Sequence, residues 1–238
     1  MPHALITGSA HRLGRHIALA LADAGYDIVL HAYEAHARLA AVEEEVRARG
    51  REVFSVVADL RSVEEIRDMA RLVAGRIERL DVLVNNAGVF PEAPFEEVTE
   101  DMWNLAVDVN TRAPFFLTQA VLPLLRAASG CVVNIVSAGA YEPWSRHIPY
   151  NISKAGAHML TRALAKALAP DIRVNGIAPG IILMPEEEER EHIPATRFPL
   201  QRYGTAADIA EAVLFLCERA PYITGHVLPV TGGAPMDR

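Results

Sequence analysis

The stretch Ala4-Leu5-Ile6-Thr7-Gly8-Ser9-Ala10-His11-Arg12-Leu13-Gly14 decides the fold. Its first three residues read as a short buried strand. From residue 12 to 24 the apolar positions Leu13, Ile17, Leu19, Ala20 and Leu21 recur at helical spacing. A glycine-bearing turn therefore joins a strand to a helix. Glycine tolerates positive φ and lets another group approach the backbone closely. The N–H groups at the start of a helix attract an anion, and a pyrophosphate suits that place. Gly8, His11, Arg12, Leu13 and Gly14 are the candidate contacts. Arg12 stands where a glycine is common, so the turn is not a GxGxxG. Taken alone, it is equally an ordinary strand-to-helix turn.

The same alternation continues along the chain. Asp27 to Leu30, Val53 to Val57, Val82 to Val84, Cys131 to Val136, Ile172 to Ile177 and His226 to Val230 read as strands. Helical patterns cover residues 35 to 49, 62 to 79, 100 to 126, 149 to 168 and 206 to 217. Strands alternating with helices give βαβ units and a parallel sheet covered on both faces. Right-handed crossovers make this an α/β fold, a Rossmann-type doubly wound parallel sheet of about seven strands. Residues 1–238 are read as one domain. The one composition shift is residues 185 to 191, a proline followed by five Glu and one Arg. It lies in a connection of about 25 residues, a length more often functional than accidental. A solvated helix face explains the charge equally well.

Composition narrows the function. Hydrophobic residues make up 51% of 238 and charged residues 22%, enough for a substantial core and not a disordered chain. Lys and Arg number 23 against 30 Asp and Glu, and the net charge of −7 argues against a general nucleic-acid binder. The two cysteines, Cys131 and Cys217, sit in apolar runs without a CxxC. Neither a disulfide scaffold nor a cysteine zinc site is expected, and a reducing compartment is the plain reading. The nine histidines contain no HxxxH or HExxH pair, so no metal is expected. The first eight residues lack the basic region of a signal peptide, and no apolar run approaches ~18 residues. The expectation is a soluble cytoplasmic protein that acts on a small molecule, without nucleic-acid or membrane partners.

In open α/β sheets ligands bind beyond the carboxyl ends of the strands. Asn85-Asn86-Ala87-Gly88 follows the fourth strand and Asp59-Leu60 the third. Asp59 suits an adenine amino group, or equally the cap of a helix near Ser62. Tyr150 and Lys154 are four apart on a predicted helix and share a face. A free Tyr, with a pKa of ~10, is a poor acid or base at neutral pH, and a nearby ammonium lowers that value. A phenol so tuned exchanges a proton with a carbonyl or an alcohol. A lone YxxxK is more often a surface pair. Ser137 ends the fifth strand, with its hydroxyl available to a substrate oxygen or to cap the strand end. Asn110 lies inside a predicted helix, where Asn is mildly unfavourable; a surface amide is the default. No GxSxG surrounds Ser137, so a serine hydrolase is not expected. Tyr141, Trp144 and His147 precede the Tyr150 helix as pocket wall or ordinary packing.

In order and spacing, the turn at 7 to 14, Asn85-Asn86-Ala87-Gly88, Ser137, Tyr150-x-x-x-Lys154, Pro179-Gly180 and Thr231-Gly232-Gly233 resemble the short-chain dehydrogenase/reductase family, single-domain branch, over essentially the whole chain. The resemblance implies hydride transfer between NAD(P)(H) and a carbonyl or secondary alcohol. Tyr150 would be the acid/base. Lys154 would bind the nicotinamide ribose and lower the Tyr150 pKa. Ser137 would steady the substrate oxygen, and Asn110 would hold a water in a proton relay. His31, Ala32, Asp59, Leu60, Asn86, Ala87, Gly88, Pro179, Gly180 and Ile182 would complete the cofactor site. Residues 181 to 200 would form a substrate lid, and the assembly would be a homotetramer or homodimer.

Ala32 stands where an acid would bind the ribose diol, which favours NADP(H). His11, Arg12, His31 and His36 could supply positive charge or donors there. Glu34, where NADP relatives often carry Arg, keeps NAD(H) as the alternative. A narrower resemblance, to pteridine reductases, rests on Arg12, His31, Phe90 and the segment 178 to 186, with Phe90 as a stacking platform. Ser137 departs from the Asp usual in that subgroup, and Gly88 from its Ser. Carbonyl chemistry therefore leads, pteridine reduction is the alternative, and a non-catalytic dinucleotide sensor comes last.

Overall fold

The apolar runs pair into one parallel sheet of β1 (His3–Ile6), β2 (Asp27–Ala32), β3 (Val53–Val57), β4 (Val82–Asn85), β5 (Cys131–Ile135), β6 (Arg173–Pro179) and β7 (Val227–Val230), ordered β3-β2-β1-β4-β5-β6-β7. The computed structural model describes residues 1–34, 37–184 and 194–234. A parallel sheet is covered on both faces, so its strands read as continuous apolar runs. β2 is buried at every position. Ile6 of β1 faces Leu30 of β2 on one side and Val84 of β4 on the other. The chain thus runs outward from β1 through β2 to β3, then returns to lay β4 on the opposite side. Such a reversal opens a crevice at the carboxyl ends of β1 and β4.

The helices are α1 (Arg12–Asp23), α2 (Ala37–Arg47), α3 (Val63–Ala74), α4 (Glu100–Val107), α5 (Ala113–Ala120), α6 (Leu122–Ala128), α7 (Ile148–Leu168) and α8 (Ala206–Leu214). Ile17 of α1, Val42 of α2 and Val213 of α8 share one core with Ile6 and Leu30. Ile66 of α3, Leu117 of α5 and Leu164 of α7 share the other with Leu5 and Val29. Successive strand side chains point to opposite faces, so Leu5 and Ile6 serve different layers. The Ser62 hydroxyl caps α3 by accepting from the Glu65 N–H, and Thr205 and Asp208 form a reciprocal box at α8. Ser62, not Asp59, is therefore the cap of α3.

Several predicted boundaries move. The helix expected over 100 to 126 is three helices. A π-helical turn, Asp108–Arg112, separates α4 from α5, and α6 starts afresh at Leu122. Pro114 and Pro123 lack the N–H a continuous helix needs. α3 ends at Ala74 with Gly75 as its C-cap, short of the expected residue 79. α8 passes into a second π-turn, Phe215–Arg219. Of the expected lid, residues 185–193, with the acidic run, lie outside the described residues, as does His36. Ile182 forms a bridge with Gly204, and Phe198 and Tyr203 are buried with ring centroids 5.7 Å apart. Among the described residues no helix is long and apolar enough to cross a membrane.

Candidate active site

The β1–α1 turn is built by close approach. Gly8 has φ +64, and a Cβ on Gly14 would collide with the Gly8 carbonyl and lie 2.5 Å from Asn86 Nδ2. Arg12 has φ +49, a left-handed backbone that accounts for glycine being common at this position. α1 carries no acid in its first turn, and its N-cap His11 makes no side-chain capping bond. Thr7 and Asn86 stitch the turn to the end of β4. Asn86 Nδ2 donates to the carbonyls of Thr7 (2.8 Å) and Gly8 (3.2 Å), while the N–H groups of Asn86 and Ala87 donate to Thr7 Oγ1. The Asn86 amide thus shapes the turn.

Tyr150 and Lys154 lie on α7, beside the end of β5, and are no surface pair. Lys154 is buried, and its Nζ donates to the Ile135 carbonyl at 2.9 Å. Burial lowers its pKa to about 8. The ammonium lies 5.8 Å from the Tyr150 ring centroid. Burial pushes the Tyr150 phenol up, and a hydrogen bond with Ser137 opposes that. The lowering expected from Lys154 is therefore not found in the protein alone, where the ammonium is turned to Ile135. The Ser137 hydroxyl also accepts from the Gly139 N–H at 3.0 Å. Asn110 is buried in the π-turn, not at the surface. Its Oδ1 accepts from the Val89 N–H (2.9 Å), and its Nδ2 donates to the Val89 carbonyl (3.0 Å) and to Ser153 Oγ (2.9 Å). Ser153 Oγ in turn donates to the Tyr150 carbonyl. Asn110 thus braces the segment after β4 against the Tyr150 helix.

A cavity of about 850 Å³ joins the glycine turn to Tyr150. Except for His36, which lies outside the described residues, the residues singled out for cofactor or substrate contact line it; Asn110 stands behind its wall. At one end Phe90 stacks on His147 (centroids 4.0 Å apart) and meets Tyr150 edge-on (4.5 Å), and Trp144 lies parallel to Tyr150 at 6.0 Å. Phe90 is therefore covered on one face. Trp144 lines the cavity, while Tyr141 packs on His158 instead. At the other end Asp59 is paired with Arg61, whose Nη2 also reaches the Tyr33 hydroxyl at 3.4 Å. That pair holds the Asp59 carboxyl below its usual range. His31, expected as a source of positive charge, is buried, and its pKa falls to about 4. It is neutral at physiological pH. Sequence reasoning missed Tyr33, Arg61, Leu105 and Val109 as lining residues. Only Arg61, two residues past Asp59, left a legible signal. Among the described residues no cluster of His, Cys, Asp and Glu could hold a metal.

A family model described as enoyl-(acyl carrier protein) reductase matches residues 8–235. The chain belongs to the short-chain dehydrogenase/reductase family. As a member it is an oxidoreductase. It is similar to the 3-oxoacyl-[acyl-carrier-protein] reductase FabG of Staphylococcus aureus, 35% identical over 241 residues, with 98% of each chain covered. It also resembles the solved structure of a blue fluorescent protein from a metagenomic library in complex with NADPH. That match has 31% identity, TM-score 0.90, and covers 98% of this chain and 97% of the other. A carveol dehydrogenase from Mycobacterium avium in complex with NAD matches at 26% identity and TM-score 0.89, covering 98% and 97%.

Proposed function

We propose that this family member interconverts a carbonyl and a secondary alcohol, with Tyr150 as acid/base and NADP(H) as the favoured cofactor. The observation that carries it is the gathering of half-buried Tyr150 with buried Ser137 and Lys154 at one end of a cavity whose other end is the glycine turn. The cavity fits a dinucleotide: Gly8 and Gly14 let the turn that lines it close against Ala87 and Asn86, and the first turn of α1 faces it without an acid. A bound nicotinamide would supply or accept the hydride. The chain handles the proton. With its pKa pushed up, Tyr150 stays protonated at neutral pH and donates to a carbonyl oxygen that Ser137 steadies. Lys154 holds a positive charge beside the reacting proton below its pKa of about 8. Asn110 positions Val89 and, through Ser153, the first turn of α7.

Ala32 offers the ribose diol no carboxylate, which supports NADP(H); Glu34 on the same wall keeps NAD(H) as the alternative. The NADPH and NAD complexes of the two structural relatives fit either choice. Beside Phe90 and Trp144, which meet the Tyr150 ring, the cavity is lined by apolar Leu105, Val109, Ile181 and Met184, which suits a neutral carbonyl with an apolar flank. Pteridine reduction is the lesser reading. Ser137 stands in place of the acid that would protonate a ring nitrogen, and His147 covers one face of Phe90.

Tyr150→Phe tests the assignment. NADPH oxidation, followed by absorbance with a simple diketone, should fall by about 10²–10⁴-fold while NADPH affinity persists. Unchanged turnover would sink it. A parallel cuvette with 7,8-dihydrobiopterin that outpaces the diketone would transfer the reading to pterins.

We propose a cytoplasmic homotetramer or homodimer, with 1–238 as a single domain and 181–200 as the lid. Trp103 of α4, Phe115 of α5 and Met159 of α7 leave large apolar side chains exposed, which supports association. Sedimentation equilibrium should give two or four times 26.0 kDa, and a species of 26.0 kDa alone would overturn it.

A further inference from the structure

We propose that His31 is a positioning residue, a neutral imidazole that clamps the peptide opening the dinucleotide turn and binds no part of the cofactor's phosphate through charge. The proposal rests on the reading that the cavity takes a dinucleotide.

The peptide between Thr7 and Gly8 is gripped at both ends by side chains from opposite sides of β1. Its carbonyl accepts from Asn86 Nδ2 at 2.8 Å, and its N–H donates to His31 Nδ1 at 3.2 Å. Asn86 follows β4 and His31 belongs to β2, so the two neighbours of β1 fix the plane of this peptide between them. The other imidazole nitrogen, Nε2, lies 3.1 Å from the Ala58 carbonyl just past β3. A ring that accepts at Nδ1 and donates at Nε2 exists only as the neutral Nε2–H tautomer. A second proton would point an N–H at the N–H of Gly8. The backbone completes the grip. The His31 N–H donates to Ser9 Oγ at 3.0 Å, and the Ser9 N–H donates to the His31 carbonyl at 2.9 Å.

Both ring nitrogens are therefore committed to backbone groups. His31 lines the cavity, yet presents neither a positive charge nor a spare donor to a phosphate. Its contribution is order. Gly8, at φ +64, would otherwise be the most freely turning residue of the motif. A turn ordered before binding does not lose that freedom when a ligand arrives.

The test uses the full chain, with calorimetric dissociation constants for NADPH and for NADH, and hydrogen exchange of residues 7–14 without cofactor. Three variants are compared with wild type: His31→Asn, which keeps an acceptor near Nδ1; His31→Gln, which favours the reach to Ala58; and His31→Leu, which keeps neither. The expected result is about tenfold weaker binding of both dinucleotides and faster exchange in the Leu and Gln variants, with Asn closest to wild type. Loss confined to NADPH would overturn the clamp and make His31 a phosphate contact. Unchanged affinity and exchange in the Leu and Gln variants would also overturn it. If His31→Leu does not fold, the Asn and Gln pair decides alone. Failure of wild type itself to bind either dinucleotide would instead remove the underlying reading of the cavity.

Discussion

Lys154 occupies a place where a charge is expensive. Its ammonium is buried with one carbonyl partner, Ile135, and its pKa falls from 10.5 to about 8. The sign of the linkage is fixed by that fall. Below pH 8 both folded and unfolded chains carry the proton, and the folded state bears the full desolvation cost. Between pH 8 and 10.5 the folded chain sheds the proton first, and the cost disappears. A drop of this size corresponds to roughly 3 kcal/mol, against which removal of the side chain strands the Ile135 carbonyl for about 1–3 kcal/mol. Lys154→Met should therefore abolish turnover yet match or exceed wild type in stability at pH 7, by up to about 2 kcal/mol. Urea unfolding at pH 7 and pH 10 checks this. The advantage of the variant should shrink as pH rises, and a variant clearly weaker than wild type at pH 7 would refute the account. His31 is the complementary case. Burial is again the cause, but the neutral form is the one its two hydrogen bonds require.

At the scale of elements, the sequence was legible where one segment carried its own pattern. β1, its glycine turn and α1 could be read directly, because the apolar run, the turn and the helical spacing are contiguous. Tyr150 and Lys154 were legible because α7 places residues four apart on one face. The stretch from 100 to 126 misled because apolar positions such as Leu105, Val109, Ala113 and Leu117 keep a helical spacing across the polar turn. A π-turn adds one residue to a helical turn and rotates the next helix about its axis, and hydrophobic periodicity does not register that insertion. Here the inserted turn carries Asn110 inward to Val89 and Ser153, which reverses the expectation of a surface amide. The Asp59 cap failed for a simpler reason. Ser62 is adjacent to α3, and the Glu65 carboxylate reaches back to the Asp59 N–H, so the helix end is already satisfied. The aromatic group of Phe90, Trp144, His147 and Tyr150 was hidden because two loops and a helix meet to make it. So was the His31 clamp, whose partners at 8 and 58 come together only through strand order.

The whole molecule is tied together at one edge of its sheet. The cavity draws Gly8 from beyond the end of β1, His31 and Ala32 from β2, Ala58 from just past β3, Asn86 from just past β4, Ile135 from β5 and Pro179 from β6. A ligand there touches both halves of the doubly wound sheet, on either side of the β1–β4 reversal. Its binding free energy is then added to the stability of the whole chain, since an unfolded chain has no such edge. At about one hundred times its dissociation constant, a single ligand adds about 2.7 kcal/mol, and for a chain of this length that raises the melting temperature by roughly 5–10 °C. NADPH should produce such a shift in scanning calorimetry. NADH at the same concentration should produce a smaller one, because Ala32 gives its free ribose diol no carboxylate to bind. Equal shifts would remove the preference for NADP(H) while leaving the cavity assignment standing. With His31→Leu the two shifts should shrink together, because the clamp orders the turn that both dinucleotides share.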